Sequence, residues 1–215
     1  MSRYIPALDY HWLTPAYDTL IRLAMPERAF KQRLIEQARI RAGQTVLDVG
    51  CGTATLAIMA KRAHPQAHVV GLDGDPTILA IAARKVSATA LAIPLHYGMA
   101  FDLPYPDAAF DRVLSSLVLH HLGTEDKRRT LTECYRVLRP GGELHIADWG
   151  KPHSRLMWTC SRIVRLCDGP ETVDNLRGRL PEFCRQAGFL DVMETRRITT
   201  VFGTLSLYRA RGTAA

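Results

Sequence analysis

The sequence predicts a doubly wound α/β fold, and three observations lead to that prediction. Short apolar strands alternate with amphipathic helices from about residue 45 to residue 148, which is typical of parallel βαβ units. A glycine-containing loop follows the first strand, and Asp73 ends the second. In such a sheet, ligands bind outside the carboxyl ends of the strands, so the loop and the aspartate predict a ligand site there.

The elements are predicted from hydrophobic periodicity and from helix-stop residues. A helix over residues 27–40 ends before Gly43, and Thr124 is expected to cap a later helix. Two C-terminal strands have no long helix between them, so they are expected to pair as an antiparallel hairpin linked at residues 196–198. The predicted strands are 46–49, 68–72, 93–97, 110–116, 143–148, 189–195 and 199–210, and the helices after the first are 54–63, 76–86, 124–138, 156–166 and 180–187.

The composition is that of one globular domain. The chain has 215 residues, 47% of them hydrophobic and 23% charged, which is enough to bury a full core. We predict a single domain over residues 1–215. Residues 1–42 and 149–180 lie outside the strand–helix repeat and are predicted to form a small helical cap that builds a substrate site. Their aromatic residues could form a lid or simply pack in the core.

Charge and cysteine content limit the classes of function. The net charge is +7, but the basic residues are dispersed and densest over residues 155–185, so a solvated basic surface competes with an anionic partner. The five cysteines include no CxxC pair, which favours neither a disulfide framework nor a metal site. No apolar run reaches the ~20 residues of a membrane span, and residues 1–20 do not resemble a signal peptide. We therefore expect a cytoplasmic protein, with peripheral membrane contact left open.

The glycine loop is selective about its ligand. Thr55 occupies the third glycine position of a G-x-G-x-x-G dinucleotide loop that begins at Gly50, which argues against a nicotinamide-dependent oxidoreductase. Asp48 precedes the loop, where a carboxylate would repel phosphate and attract an ammonium group.

Asp73 is placed to bind a ribose. It lies about 20 residues past the loop, where a carboxylate accepts hydrogen bonds from ribose hydroxyls in βαβ nucleoside sites. The alternative role is a helix cap, but Asp75 directly before Pro76 is better placed for that. Together, the glycine loop and the two aspartates indicate a ligand that has a ribose and a cationic amino-acid tail but no phosphate. S-adenosylmethionine fits that description.

Four motifs in order resemble those of the class I S-adenosylmethionine-dependent methyltransferases, most closely the type that acts in ubiquinone and menaquinone biosynthesis. The resemblance covers roughly residues 17–148, and Lys151-Pro152 follows the fifth strand as in that type. The motifs are VLDVGCGT at 46–53, GLD at 71–73, GMAFDLPYPD with AFD at 98–111, and RVLRPGG at 136–142.

The resemblance implies a Rossmann-like, seven-stranded, mostly parallel sheet with an antiparallel last strand, S-adenosylmethionine as cofactor and S-adenosylhomocysteine as product. It places the methionine part on the glycine loop, the ribose on Asp73 and the adenine beside Met99 and Ala100. The implied cofactor-binding residues are Asp48, Gly50, Cys51, Gly52, Thr53, Asp73, Gly74, Met99, Ala100 and Ser116.

The sequence departs from the family pattern at two positions. Ala54 stands where the family commonly has glycine, and Met99 stands where it often has an aspartate or asparagine that binds the adenine amino group. Methionine sulfur is only a weak acceptor, so the backbone or Asp102 would have to make that contact.

Methyl transfer is an in-line displacement that depends mainly on alignment, and it requires a base only if the acceptor loses a proton. His120 is the candidate catalytic base, with His121 beside it; the alternative is a histidine that shapes the pocket by hydrogen bonding.

Residues 115–118 lack the Asn/Asp-Pro-Pro-aromatic signature of methylases that modify base nitrogens, so nucleic acid is not favoured as a partner. We predict a small hydrophobic acceptor, such as a quinone precursor, phenol or enol. The alternative is a non-catalytic S-adenosylmethionine-binding or regulatory protein of the same fold.

Overall fold

A seven-stranded mixed sheet forms the centre of the molecule in the computed structural model, which describes residues 27–212 apart from the side chains of residues 163 and 167. The strand order is β3-β2-β1-β4-β5-β7-β6. Strands β1 to β5 pair in parallel, and β7 runs antiparallel to both β5 and β6. The predicted fold class is confirmed. The strands are β1 (Thr45–Val49), β2 (His68–Asp73), β3 (Leu95–Tyr97), β4 (Phe110–Ser116), β5 (Leu138–Trp149), β6 (Leu190–Thr200) and β7 (Gly203–Arg211).

Helices cover both faces of the sheet, as a buried parallel sheet requires. One apolar cluster joins one sheet face to α1, α2, α3 and α5 through residues such as Phe30, Leu56 and Val164. A second cluster joins the other face to α4 and α7 through Leu131 and Phe183. The helices are α1 (Glu27–Ala38), α2 (Thr55–Ala63), α3 (Pro76–Ser87), α4 (Thr124–Val137), α5 (Arg155–Asp168), α6 (Val173–Leu176) and α7 (Leu180–Gln186), with 3₁₀ turns at Leu119–His121 and Pro170–Thr172.

The C-terminal hairpin turns later than the sequence predicted. Arg197 and Ile198 pair with Ser206 and Leu205 within the β6–β7 ladder, so the predicted link at residues 196–198 is wrong. The chain reverses after Thr200, whose hydroxyl accepts hydrogen bonds from the backbone N–H groups of Phe202 and Gly203. This local side-chain-to-backbone turn fixes the reversal, and its sequence is not one of the common tight-turn pairs.

Two predicted helix caps had opposite outcomes. Asp75 caps α3 as expected, accepting from the N–H groups of Thr77 at 2.8 Å and Ile78 at 3.3 Å. Thr124 does not cap α4: Gly123 is the capping residue, and the Thr124 hydroxyl donates to Asp174 at 2.6 Å instead. The Thr124 hydroxyl therefore bonds to a residue distant in sequence, and not to the backbone N–H groups of α4 as the local sequence predicted.

The predicted cap segments are described only in part. Residues 1–26, with Tyr4, Tyr10, Trp12 and Tyr17, lie outside the described residues. The second segment contains the end of β5, then α5 and α6. Within residues 27–212, no helix is both long enough and apolar enough to cross a membrane.

Candidate active site

The candidate site lies where the strand order reverses. From β1 the sheet extends through β2 to β3 on one side and through β4 to β5 on the other. The loops after β1 and β4 therefore leave the sheet on either side of a crevice, which is the binding position of open α/β sheets. Every predicted site residue lies in or beside the loops at this edge.

The glycine loop after β1 needs its two glycines for different reasons. Gly50 and Gly52 both have positive φ, 66° and 53°, which side chains disfavour. A Cβ on Gly50 would lie 2.4 Å from Cγ2 of Val118, whereas a Cβ on Gly52 would meet no described atom within 4 Å. Gly50 therefore allows close packing against the segment after β4, and Gly52 faces open space that a ligand can fill.

Two neighbours of the glycines complete the loop. Cys51 is buried and donates its backbone N–H to the carbonyl of Leu72 at 2.9 Å, and burial raises the pKa of its thiol. Ala54, which replaces the family glycine, adopts φ 60° directly before α2. The departure is therefore accommodated by a left-handed alanine, the smallest residue with a Cβ.

Asp73 connects the two loops on the β1–β2 side. One carboxylate oxygen accepts from the N–H of Gly52 at 2.8 Å and the other from the N–H of Asp75 at 2.9 Å. Each carboxylate oxygen has two lone-pair sites, so both retain capacity for another donor. The carboxylate is half-buried at the end of β2, where that capacity can face a ligand.

Asp48 is a buried acid with an unfilled hydrogen-bonding position. It is 1% exposed, and its Oδ2 has no hydrogen-bond partner within the described part of the chain. Burial raises the pKa of this carboxyl from 3.8 to about 7, partly offset by the charge of Lys31. A buried carboxylate without a partner is costly, so the position is suited to a cationic group that enters from the crevice.

Met99 and Gly74 lie next to Asp73. A Cβ on Gly74 would be 2.9 Å from Sδ of Met99, and the N–H of Gly98 donates to the Asp73 carbonyl at 3.1 Å. The half-buried Ala100 follows Met99 and packs against the second apolar cluster, the one that includes Leu131 and Phe183. Asp102 is exposed, and its backbone N–H donates to the carbonyl of Met99 at 3.1 Å.

The hydroxyls near the site differ in whether they have partners. Ser115 and Ser116, at the end of β4, have buried hydroxyls without a hydrogen-bond partner among residues 27–212. The Thr53 hydroxyl instead accepts from Lys85 at 3.3 Å, on the side of the loop that faces α3. The serines therefore retain hydrogen-bonding capacity, and Thr53 is already engaged.

His120 is placed differently from a solvent-facing base. It is 3% exposed, and its Nδ1 lies 2.7 Å from Oδ1 of Asp148, at the end of β5. Its Nε2 lies 3.7 Å from Oδ2 of Asp168 on α5. Neighbouring His121 is exposed, with ring centroids 3.9 Å apart. The geometry identifies His120 as the centre of a buried polar network.

Sequence reasoning missed the rest of this network. Asp148 also accepts from the N–H of Leu119 at 2.8 Å and from Nδ2 of Asn175 at 3.1 Å. Burial acts to raise the pKa of the Asp148 carboxyl. The charge of His120 and the hydrogen bonds that Asp148 accepts outweigh burial, so the pKa of Asp148 lies below its usual value. An acid at the carboxyl end of β5 was the available signal for Asp148, whereas Asp168 and Asn175 have no local motif.

Comparison with known sequences agrees with this geometry. The methyltransferase domain family matches residues 46–142. The match covers slightly less than half of the chain. The resemblance drawn from the four motifs is thereby confirmed.

Curated proteins similar to this chain include demethylmenaquinone methyltransferases. A demethylmenaquinone methyltransferase of Thermus thermophilus is 37% identical over 142 residues, covering 65% of this chain and 64% of the relative. One of Deinococcus radiodurans is 35% identical over 153 residues, covering 70% of this chain and 63% of the relative. The chain thus spans less than two thirds of the length of these relatives.

Solved structures share the fold at low sequence identity. A phosphoethanolamine N-methyltransferase of Haemonchus contortus, in complex with S-adenosylmethionine, has a TM-score of 0.72 at 17% identity, over 86% of this chain and 52% of that one. A methyltransferase of Aquifex aeolicus has 0.66 at 19%, over 90% and 97%. The [4+2]-cyclase SpnF has 0.68 at 21%, over 87% and 81%, so the fold alone does not fix the reaction.

Proposed function

We propose that the protein transfers a methyl group from S-adenosylmethionine to a small hydrophobic organic acceptor of the demethylated-quinol type. The observation that carries the proposal is the buried, unpartnered oxygen of Asp48 beside a glycine loop whose Gly52 faces open space. Nucleotide cofactors bring phosphates, which this carboxylate would repel. A sulfonium cofactor brings an ammonium group, which it would attract.

The residues of the crevice fit the parts of that cofactor. Asp48 would hold the ammonium group, and Asp73 has free lone-pair capacity for the ribose hydroxyls. Met99 would pack on the adenine, and the unpartnered Ser116 hydroxyl would close the methionine side. When bound, the cofactor supplies an electrophilic methyl group on a positively charged sulfur. The chain's contribution is then to hold this group in line with the acceptor and to exclude water.

The acceptor class is supported by the relatives. Demethylmenaquinone methyltransferases are named for a quinone with an apolar body, and they match at 35–37% identity. Such an acceptor would reach the crevice past the segment after β4 and the neighbouring α5–α6 region. The same site could instead bind the cofactor without catalysis, as a regulatory protein would.

We assign His120 a positioning role within this function. Its ring is buried and in contact with Asp148 and Asp168, so it links the segment after β4 to the end of β5 and to α5. A general base must reach the acceptor proton within about 3 Å or through one water. Holding the wall of the crevice requires no such access.

The test is a transfer assay with methyl-labelled S-adenosylmethionine and a demethylated naphthoquinol in detergent micelles. We expect labelled product and an equal amount of S-adenosylhomocysteine, and Asp73→Asn should lower kcat/KM for S-adenosylmethionine at least about tenfold. Tight cofactor binding without transfer to quinol, phenol or enol acceptors would instead support the regulatory alternative.

A further inference from the structure

The outer face of α5 is apolar and basic at once. Helix geometry places its exposed residues on one side of the axis, opposite the buried Met157, Ser161 and Val164. We call the basic and large apolar residues on that side the α5 outer face; its members are Arg155, Leu156, Trp158, Arg162, Arg165 and Leu166.

The large apolar residues of this face are exposed to an unusual degree. Leu156 is 68% exposed, Trp158 is 59% exposed and Leu166 is 85% exposed. Val201, at the tip of the β6–β7 hairpin, is also exposed, at 58%. The hairpin packs against the opposite, buried side of α5, since a Cβ on Gly203 would lie 3.7 Å from Cα of Ser161. Large apolar side chains exposed to this degree on one side of a helix mark an interaction site.

The arginines are arranged on one flank of the face. At about 100° per residue, the order around the helix is Arg165, Trp158, Arg162, Arg155, Leu166, Leu156. Arg162 stacks over the Trp158 ring at 5.6 Å. None of the three arginines forms a salt bridge with a residue of the range 27–212. Their charge is therefore free to meet an anionic surface.

We propose that the α5 outer face binds the surface of an anionic lipid bilayer. Leucines insert among acyl chains, tryptophan prefers the headgroup region, and arginines pair with lipid phosphates. The helix has 14 residues and is about 21 Å long, so it would lie in the interface rather than span it.

A bilayer explains the pattern better than the other basic-patch partners. Nucleic acid would bind the arginines through its phosphates, but it offers no apolar surface for two leucines that are each more than two thirds exposed. The net charge of +7 adds a long-range attraction to anionic lipid. Binding here would also place the crevice close to a membrane that carries a hydrophobic acceptor, but it requires no methyl transfer.

The test is co-sedimentation of the full chain with phosphatidylcholine vesicles and with equimolar phosphatidylcholine–phosphatidylglycerol vesicles. We expect wild type to pellet with the anionic vesicles only. The double variant R162E/R165E should lower the partition coefficient at least about tenfold, as expected from about 1 kcal/mol per basic residue near the surface. L156S/L166S should lower it by a similar factor, because the inserted apolar groups are lost.

The matched control is R62E/R84E, which changes the net charge equally. Both arginines are exposed on α2 and α3, over the half of the sheet away from β7. Its partition coefficient should stay within about threefold of wild type, because salt screens the interaction of the bilayer with charges that lie farther away than a Debye length. Unchanged melting temperatures would show that every variant is folded.

Three results would overturn the proposal: no sedimentation of wild type with anionic vesicles, equal loss in R62E/R84E, or concentration-dependent self-association that L156S/L166S abolishes. Vesicle binding is measured without cofactor or acceptor. A negative transfer assay with positive sedimentation would therefore refute the proposed activity and leave the membrane surface standing.

Discussion

Asp73 is the residue on which two loops of the crevice depend. Its carboxylate holds the N–H groups of Gly52 and Asp75, one on each oxygen. We expect Asp73→Asn to raise the Kd for S-adenosylhomocysteine at least about tenfold in isothermal titration, because hydrogen bonds to charged groups contribute about 1.5–3 kcal/mol.

Asp75→Asn is the matched control for that experiment. Asparagine caps helices as well as aspartate does, so α3 should keep its cap and the cofactor affinity should hardly change. Equal weakening in both variants would mean that loop order, not a ribose contact, sets the affinity.

Asp48 should make cofactor binding depend on pH. Its raised pKa of about 7 means that the folded, ligand-free protein keeps the carboxyl protonated up to near neutrality. An ammonium group requires the ionised form, so the affinity for S-adenosylhomocysteine should rise as pH increases through about 7. Titration at several pH values should show this rise in wild type and a flat profile in Asp48→Asn.

A ligand without the amino-acid tail provides the control. The affinity for 5′-methylthioadenosine should not follow the same profile, since it has no ammonium group to pair with Asp48. The ligand-free protein should also lose stability as pH rises from about 4 to about 7, because the folded state binds the Asp48 proton more tightly than the unfolded state does. If Asp48→Asn retained both pH dependences, another group would be responsible.

Two substitutions of His120 distinguish a positioning role from a role as catalytic base. In His120→Asn, the amide can still donate toward Asp148 from near the Nδ1 position, whereas His120→Ala leaves that buried carboxylate without its partner. We expect His120→Ala to lose about 3–5 kcal/mol of stability in urea unfolding. His120→Asn should be folded and keep kcat within about tenfold. A loss of about 10²–10⁴-fold in kcat for folded His120→Asn would restore the base role.

At the scale of elements, the two glycines of the loop after β1 serve different purposes: Gly50 matters for stability and Gly52 for cofactor binding. Gly50→Ala places a Cβ against Val118 at positive φ and should cost about 2–4 kcal/mol of stability. Gly52→Ala adds strain of only about 1–2 kcal/mol but fills the open space, so it should mainly weaken cofactor binding. Thermal melting and isothermal titration of both variants test this.

The double variant Gly50→Ala/Val118→Ala provides the check. Removing the Val118 methyl groups removes the atoms closest to the new Cβ, so part of the lost stability should return. If nothing returns, the cost comes from the backbone conformation and not from close packing of the two loops.

Elements whose signals are local were predicted well, and those decided by partners were not. Pro76 and Asp75 mark the start of α3 in the sequence itself, and the cap forms as expected. Thr124 carries the same kind of local signal, yet Asp174, fifty residues later, takes its hydroxyl. The hairpin turn depends in the same way on the register between β6 and β7, which no single segment specifies.

At the scale of the whole molecule, ligand binding should be visible as added stability. S-adenosylhomocysteine at about 100 times its Kd adds about 2.7 kcal/mol, and for a chain of this size that raises Tm by about 5–10 °C. Thermal melting with and without the ligand checks this. An unchanged Tm in wild type at that ligand concentration would contradict the cofactor proposal.

The sequence by itself determined the α/β class, the order of the motifs and the two aspartates of the crevice, because these depend on period, spacing and residue type within about 30 residues, the length of one βαβ unit. Only the tertiary structure decided that the oxygen of Asp48 is left without a partner, that His120 is enclosed between Asp148 and Asp168, and that the α5 outer face is exposed. These features depend on which distant segments meet, and burial and pairing arise only when the sheet has brought its strand ends together.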